Sequence, residues 1–126
     1  MTHQIALITG ASRGLGRNMA LHLAKRGIRI VGTYRSGAAE ADALRQEIES
    51  QGGEAVMLSL DVTETASFAA FAEKVADTLK INFGRERFDF LVNNAGNGLF
   101  AHFADATEEQ FESLVSTHLR GPIFLT

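Results

Sequence analysis

The sequence has no cysteine and no tryptophan, and it has one proline, Pro122, and one tyrosine, Tyr34. Without cysteine there is neither a disulfide framework nor a thiolate metal site. Positive charge is scarce: 12 Lys and Arg face 15 Asp and Glu, for a net charge of −3, and the basic residues are scattered. Binding a phosphate backbone needs a concentrated basic face, so nucleic acid is not an expected partner. No apolar run approaches the roughly 18 residues of a membrane helix. The opening MTHQIALITG lacks the basic and long apolar regions of a signal peptide. The expectation is a soluble chain in the reducing cytoplasm with no membrane partner.

What is present is an alternation of short apolar runs with longer stretches of helical period, with no internal repeat or linker. Ile5 to Thr9 reads as a buried strand closed by Gly10. Gly14 to Arg26 reads as a helix with Leu15, Met19 and Leu23 on one stripe, and Gly27 stands where a helix-ending glycine belongs. Ile28 to Tyr34 is a second strand, and Ala38 to Gln51 a helix with Ala41, Leu44 and Ile48 inward. Glu54 to Ser59 is a third strand, followed by a helix over Glu64 to Ile81 with Thr63 as N-cap and Phe68 and Phe71 on one stripe. Phe88 to Val92 is a fourth strand ending in NNAG, and a fourth helix runs from Glu108, with Thr107 and Gln110 forming a capping box. This βαβαβαβα order predicts an α/β fold with a doubly wound parallel sheet and right-handed crossovers. Four strands make only about half of a Rossmann-type dinucleotide fold, as a single domain over 1–126. Strand order 3-2-1-4 would leave the apolar run FDFLV on an open edge, a hazard for association.

The loop Thr9-Gly10-Ala11-Ser12-Arg13-Gly14-Leu15-Gly16 joins the first strand to the first helix. Each glycine answers a separate need: Gly10 a sharp turn, Gly14 close approach of a pyrophosphate, Gly16 close packing of helix on sheet. The helix N-terminus adds free N–H groups and a positive dipole end. A kinase-type phosphate loop is excluded, since no Gly-Lys-Ser/Thr comes after the glycines.

TGASRGLG resembles the TGxxxGxG cofactor loop of the short-chain dehydrogenase/reductase (SDR) family. Asn93 to Gly96, NNAG, resembles that family's signature at the end of strand four, and Leu60-Asp61-Val62 its adenine-contacting segment. The tail TEEQFESLVSTHLRGPIFLT is similar to its fourth helix, so the likeness covers the whole chain as the family's N-terminal half. The resemblance implies that Gly10, Ser12, Arg13, Gly14, Leu15 and Gly16 bind the cofactor, that Asp61 and Val62 meet the adenine, and that Asn94, Ala95 and Gly96 lie near its ribose.

NADP(H) is expected over NAD(H). An NAD site usually offers a carboxylate about 20 residues after the glycine loop. Here the second strand ends Thr33-Tyr34-Arg35-Ser36, and the next acid, Glu40, lies inside a predicted helix. Arg35 and Ser36 can meet a 2′-phosphate, and Arg13 supplies a second cation.

The family's chemistry uses a Ser and a Tyr-x-x-x-Lys pair, and neither is expected within this chain: Ala38 stands four residues after Tyr34. The family's fourth catalytic position, an Asn in the fourth helix, reads His118 here, in His118-Leu119-Arg120-Gly121. His118 shares a stripe with Phe111, Leu114 and Val115, which suggests a core-facing ring satisfied by a hydrogen bond. The sharper alternative is catalytic, through the backbone: Pro122 has no N–H for the His118 carbonyl, and the resemblance implies that this carbonyl can hold a relay water. His3, His22 and His102 fall in different elements, so no metal site is expected; His102, in the loop after NNAG, reads as a surface residue.

These observations imply an oxidoreductase that transfers hydride between NADP(H) and a small carbonyl or alcohol substrate, present as its cofactor-binding half. The isolated 126 residues are expected to be inactive, and the parent chain to be about twice as long and a homodimer or homotetramer. The alternatives are a non-catalytic nucleotide-binding or interaction module, and a methyltransferase, for which NNAG has no explanation.

Overall fold

A computed structural model describes residues 3–97 and 101–126. Four parallel strands, β1 (Ile5–Ile8), β2 (Arg29–Tyr34), β3 (Ala55–Ser59) and β4 (Phe90–Val92), lie in the order β3-β2-β1-β4. The sheet and its order are as the alternation predicts. Register runs Leu7↔Val31 between β1 and β2, Leu7↔Leu91 between β1 and β4, and Val31↔Val56 between β2 and β3.

Strand alternation divides the core into two layers. Ile5, Leu7 and Val31 face α3 (Phe68–Thr78), where Phe71 and Val75, with Leu79 just past the helix, cover them. Ala6, Ile8 and Ile30 face α1 (Gly14–Lys25) and α2 (Ala38–Ser50), meeting Ala20, Leu44 and Ile48. The α1 side is built from small side chains, so this helix lies close to the sheet. That shifts its inward stripe by one position from the sequence expectation. Gly16 and Ala20 are buried, Met19 and Leu23 are half-buried, and Leu15 is 71% exposed. Shape decided this: a leucine at the contact would hold the helix too far from β1 and β2.

The third helix also differs from expectation. Thr63 does not cap it, because the Thr63 N–H and hydroxyl both donate to Asp61. A short 3-10 turn, Thr65–Ser67, precedes α3, and a wide π turn, Leu79–Phe83, carries it on to Gly84, whose φ of +64° ends it. The capping box at Thr107 and Gln110 is present and opens α4 (Glu108–Val115). A π turn, Ser116–Arg120, then leads into α5 (Gly121–Leu125). Among the described residues no helix is long and apolar enough to cross a membrane.

Asp89 ties the lower ends of β1 and β4 together. Its carboxylate accepts from the Ile5 N–H (2.8 Å) and from Arg85 Nη1 (2.7 Å). The Arg85 hydrogen bond and then the Ile5 N–H hold its pKa below the ordinary aspartate value, against a smaller desolvation effect. A lowered folded-state pKa contributes stability that is present above the unfolded pKa and is lost as pH falls through the folded one. Asp89→Asn is therefore expected to lower the thermal midpoint at pH 7, with a smaller deficit near pH 2, as falling pH protonates the Asp89 carboxylate. Thermal melts at the two pH values check this, and an equal deficit at both would contradict it.

Candidate cofactor groove

At the carboxyl ends of the strands lies an open groove of about 760 Å³. Parallel α/β sheets bind ligands there, where the crossovers leave opposite faces. One wall is the turn after β1, contributing Gly10, Ser12, Arg13 and Leu15. The far rim comes from the end of β2 (Arg35, Ser36) and the turn after β3 (Asp61, Val62). Asn94, Ala95 and Gly96 form the floor, and His118 closes one side. Thr63, Asn97 and Thr117 also line it, and nothing in the sequence pattern had pointed to them as part of the site. A second groove, about 620 Å³ and more apolar, lies between α3 and the last residues of the chain; it is lined by Leu7, Phe71, Leu91 and Phe124 and is remote from the glycine loop.

The glycine loop is shaped by close contacts. Gly10 has φ of +65°, and a Cβ there would stand 2.8 Å from Ala95 Cα. Gly14 has φ of +60° and open space around it, so it serves conformation. Gly16 does not line the groove: it is buried, and a Cβ there would collide with the Gly10 carbonyl oxygen and Asn94 Nδ2.

Beneath the loop sits Thr9, 1% exposed. Its hydroxyl oxygen accepts from the Asn94 and Ala95 N–H groups, each at 3.0 Å. In return Asn94 Nδ2 donates to the carbonyls of Thr9 (3.1 Å) and Gly10 (3.0 Å). The Asn94 amide therefore holds the glycine loop, and what it offers the groove is backbone. On the other side, Thr33 accepts from the Gly10 N–H through its hydroxyl (3.2 Å) and from the Ala11 N–H through its carbonyl (2.8 Å). Two threonines from adjacent strands fix the loop that the glycines make possible. In the sequence both read simply as strand residues; a hydroxyl on each of two buried strand ends was the available signal.

Arg35 and Arg13 bring positive charge to the rim. Arg35 Nε lies 3.2 Å from Asp61 Oδ2. Desolvation works against ionisation of Asp61, but the hydrogen bonds from the Thr63 hydroxyl and N–H, with the charge of Arg35, outweigh it and hold its pKa below the ordinary aspartate value. Among the described residues Arg13 has no ion-pair partner, and its side chain is exposed beside the loop.

His118 does not face the core. It is exposed on the π turn, with Nε2 2.7 Å from the Asn97 carbonyl oxygen, so the ring donates to that carbonyl. The expected inward stripe is not formed: Phe111, on α4 ahead of the π turn, is itself 65% exposed, and the π turn adds a residue that carries His118 toward Asn97. A Cβ at Gly96 would lie 2.7 Å from His118 Cε1, so glycine there lets the ring approach. His102 is exposed, and His22 Nδ1 lies 2.9 Å from the Asn18 carbonyl of its own helix, to which it donates.

The sequence profile of a family described as short chain dehydrogenase matches residues 4–126. A probable tetrahydroxynaphthalene reductase of Zymoseptoria tritici is 36% identical over 122 residues, covering 97% of this chain and 43% of that protein. Among solved structures, a metagenomic short-chain oxidoreductase in complex with NADP is 35% identical, with a TM-score of 0.85 over 99% of this chain and 54% of its own. A landomycin C-6 ketoreductase with bound NADP and rabelomycin is 31% identical, with a TM-score of 0.93 over 98% of this chain and 51% of its own. The chain thus spans about half the length of the relatives it matches.

Proposed function

The chain belongs to the short-chain dehydrogenase family, and on that premise we propose that residues 1–126 are the NADP(H)-binding portion of an oxidoreductase that acts on a carbonyl or alcohol substrate. The observation that carries this is the groove itself, where a glycine loop at a helix start faces a rim bearing Arg35 and Ser36, with Arg13 beside the loop. Its volume of about 760 Å³ suits a dinucleotide. The NADP complexes of its structural relatives support the same choice of cofactor.

The residues divide the work. Gly10, Ser12, Leu15 and the start of α1 receive the diphosphate, with Gly14 and Gly16 shaping the loop. Asp61 and Val62 meet the adenine. Ala95 and Gly96 offer backbone beside the ribose, and Asn94 keeps that backbone in place. Arg13, Arg35 and Ser36 take the 2′-phosphate, which NAD(H) lacks. When bound, the nicotinamide supplies or accepts the hydride. His118, at the family's Asn position, holds the Asn97 backbone against the π turn and so fixes the far end of the groove. In this reading its own carbonyl serves the proton relay, whose Ser and Tyr-x-x-x-Lys members do not occur in the chain. The exposed apolar side chains Phe111, Leu119, Ile123 and Phe124 of the last helical segments support a homo-oligomer for the parent protein.

Titration of the 126-residue chain with NADPH and NADH, monitored by nicotinamide fluorescence or calorimetry, tests the reading. Weak binding, about tenfold tighter for NADPH, is expected from one added charge-assisted contact. No turnover of a carbonyl substrate is expected from the homogeneous chain. Equal or tighter binding of NADH would overturn the cofactor assignment, and measurable turnover would overturn the division between binding and catalysis.

A further inference from the structure

Arg35 does not stand alone at the rim. Asp61 is pinned by its own turn: Oδ1 accepts from the Thr63 N–H at 2.9 Å and from the Thr63 hydroxyl at 2.7 Å. The other carboxylate oxygen, Oδ2, meets Arg35 Nε at 3.2 Å. A guanidinium carries five N–H donors in a rigid plane. Ion-paired on its Nε side, it keeps its two terminal nitrogens as a fork, and the Arg35 side chain is still 67% exposed at the groove's rim.

We propose that Asp61 is a positioning residue that sets this groove's preference for an adenosine 2′-phosphate by holding Arg35 through Nε. The proposal rests on the NADP(H) reading and deepens it, since it assigns selectivity to a carboxylate whose charge alone would oppose a phosphate. Two effects compete. The negative charge of Asp61 repels an incoming phosphate. Its hold on Nε orders a long side chain that would otherwise lose rotamer freedom on binding. The second effect is the larger here, because Arg35 and two Thr63 donors already compensate the Asp61 charge, while the exposed arginine has no other ion-pair partner among the described residues.

The test is a ratio. Dissociation constants of the 126-residue chain for adenosine 2′,5′-bisphosphate and adenosine 5′-monophosphate are measured by calorimetry; their ratio cancels whatever the adenine and 5′-phosphate contribute. The unaltered chain should prefer the bisphosphate by about tenfold. Asp61→Asn should lower that preference by about threefold or more, and so should Arg35→Gln. Because Asp61 favours the phosphate only through Arg35, adding Asp61→Asn to Arg35→Gln should cause no further loss of preference and can only relieve repulsion, whereas its loss should multiply with that of Arg13→Gln. Arg35→Lys leaves Asp61 untouched and keeps the charge but lacks the fork, so it too should lose about threefold. A preference in Asp61→Asn equal to or above that of the unaltered chain, independent effects of Asp61→Asn and Arg35→Gln, or an undiminished preference in Arg35→Lys would overturn the proposal and leave the NADP(H) reading intact. A ratio near one in the unaltered chain would overturn that reading itself, and the proposal with it.

Discussion

Replacing Gly16 by alanine is expected to lower the unfolding midpoint by roughly 10 °C and to remove detectable nucleotide binding. The added methyl would collide with the Gly10 carbonyl oxygen on one side and Asn94 Nδ2 on the other. Neither can yield cheaply. The carbonyl belongs to the turn that begins the loop, and Asn94 Nδ2 is committed to the carbonyls of Thr9 and Gly10. Overpacking of this kind costs about 3 kcal/mol at the upper end of its usual range, and relief would come by moving α1 away from the loop. Gly14→Ala is the control. Nothing lies within 4 Å of a Cβ there, so only the φ of +60° is strained, at a cost of roughly 1 kcal/mol. Thermal melts and NADPH titration of both variants measure the difference. If Gly14→Ala proves the more destabilising of the two, the close-packing argument is wrong.

Thr9→Val should cost about 2 kcal/mol, although the two side chains have nearly the same shape. The hydroxyl oxygen accepts from the Ala95 N–H and from the Asn94 N–H. Asn94 keeps a second acceptor, the Val92 carbonyl at 3.0 Å, so Ala95 bears most of the loss. The half-buried Ala95 N–H left without this partner loses a hydrogen bond and bears part of its desolvation cost. Thr9→Ser retains the oxygen and should recover more than half of the loss. The effect should reach function, because this bond holds the NNAG backbone against the glycine loop. Urea unfolding of the three chains gives the energies, and NADPH affinity should fall with stability in Thr9→Val and return in Thr9→Ser. A Thr9→Val protein as stable as the original would show that the segment over 94–96 is held by other means.

The fold was legible because each of its signals is local. Ile5, Leu7 and Val31 alternate with Ala6, Ile8 and Ile30 along the strands, and Ala41, Leu44 and Ile48 repeat at helical spacing. The parallel sheet is implied by helices between strands. The glycine spacing at 10, 14 and 16 was legible for the same reason, since each position has a backbone requirement that other residues meet poorly. Likewise the Thr107 and Gln110 capping box depends only on residues three apart.

What the sequence could not decide was which partner a polar or apolar side chain would take across the fold. Leu15 stands on the periodic stripe of α1 yet is exposed at the groove, while Gly16, the position the glycine spacing assigned to close packing, is buried against the Gly10 carbonyl and Asn94. Thr63 could cap a helix or serve Asp61, and the turn after β3 gave it to Asp61. His118 carries no local mark of the π turn that rotates it from the core toward Asn97. The pairing of Arg35 with Asp61 joins residues from two different strand ends. Periodicity and backbone preference are properties of neighbours along the chain, so one sequence suffices to read them. Contacts between distant segments depend on distances that exist only once the sheet and helices have packed.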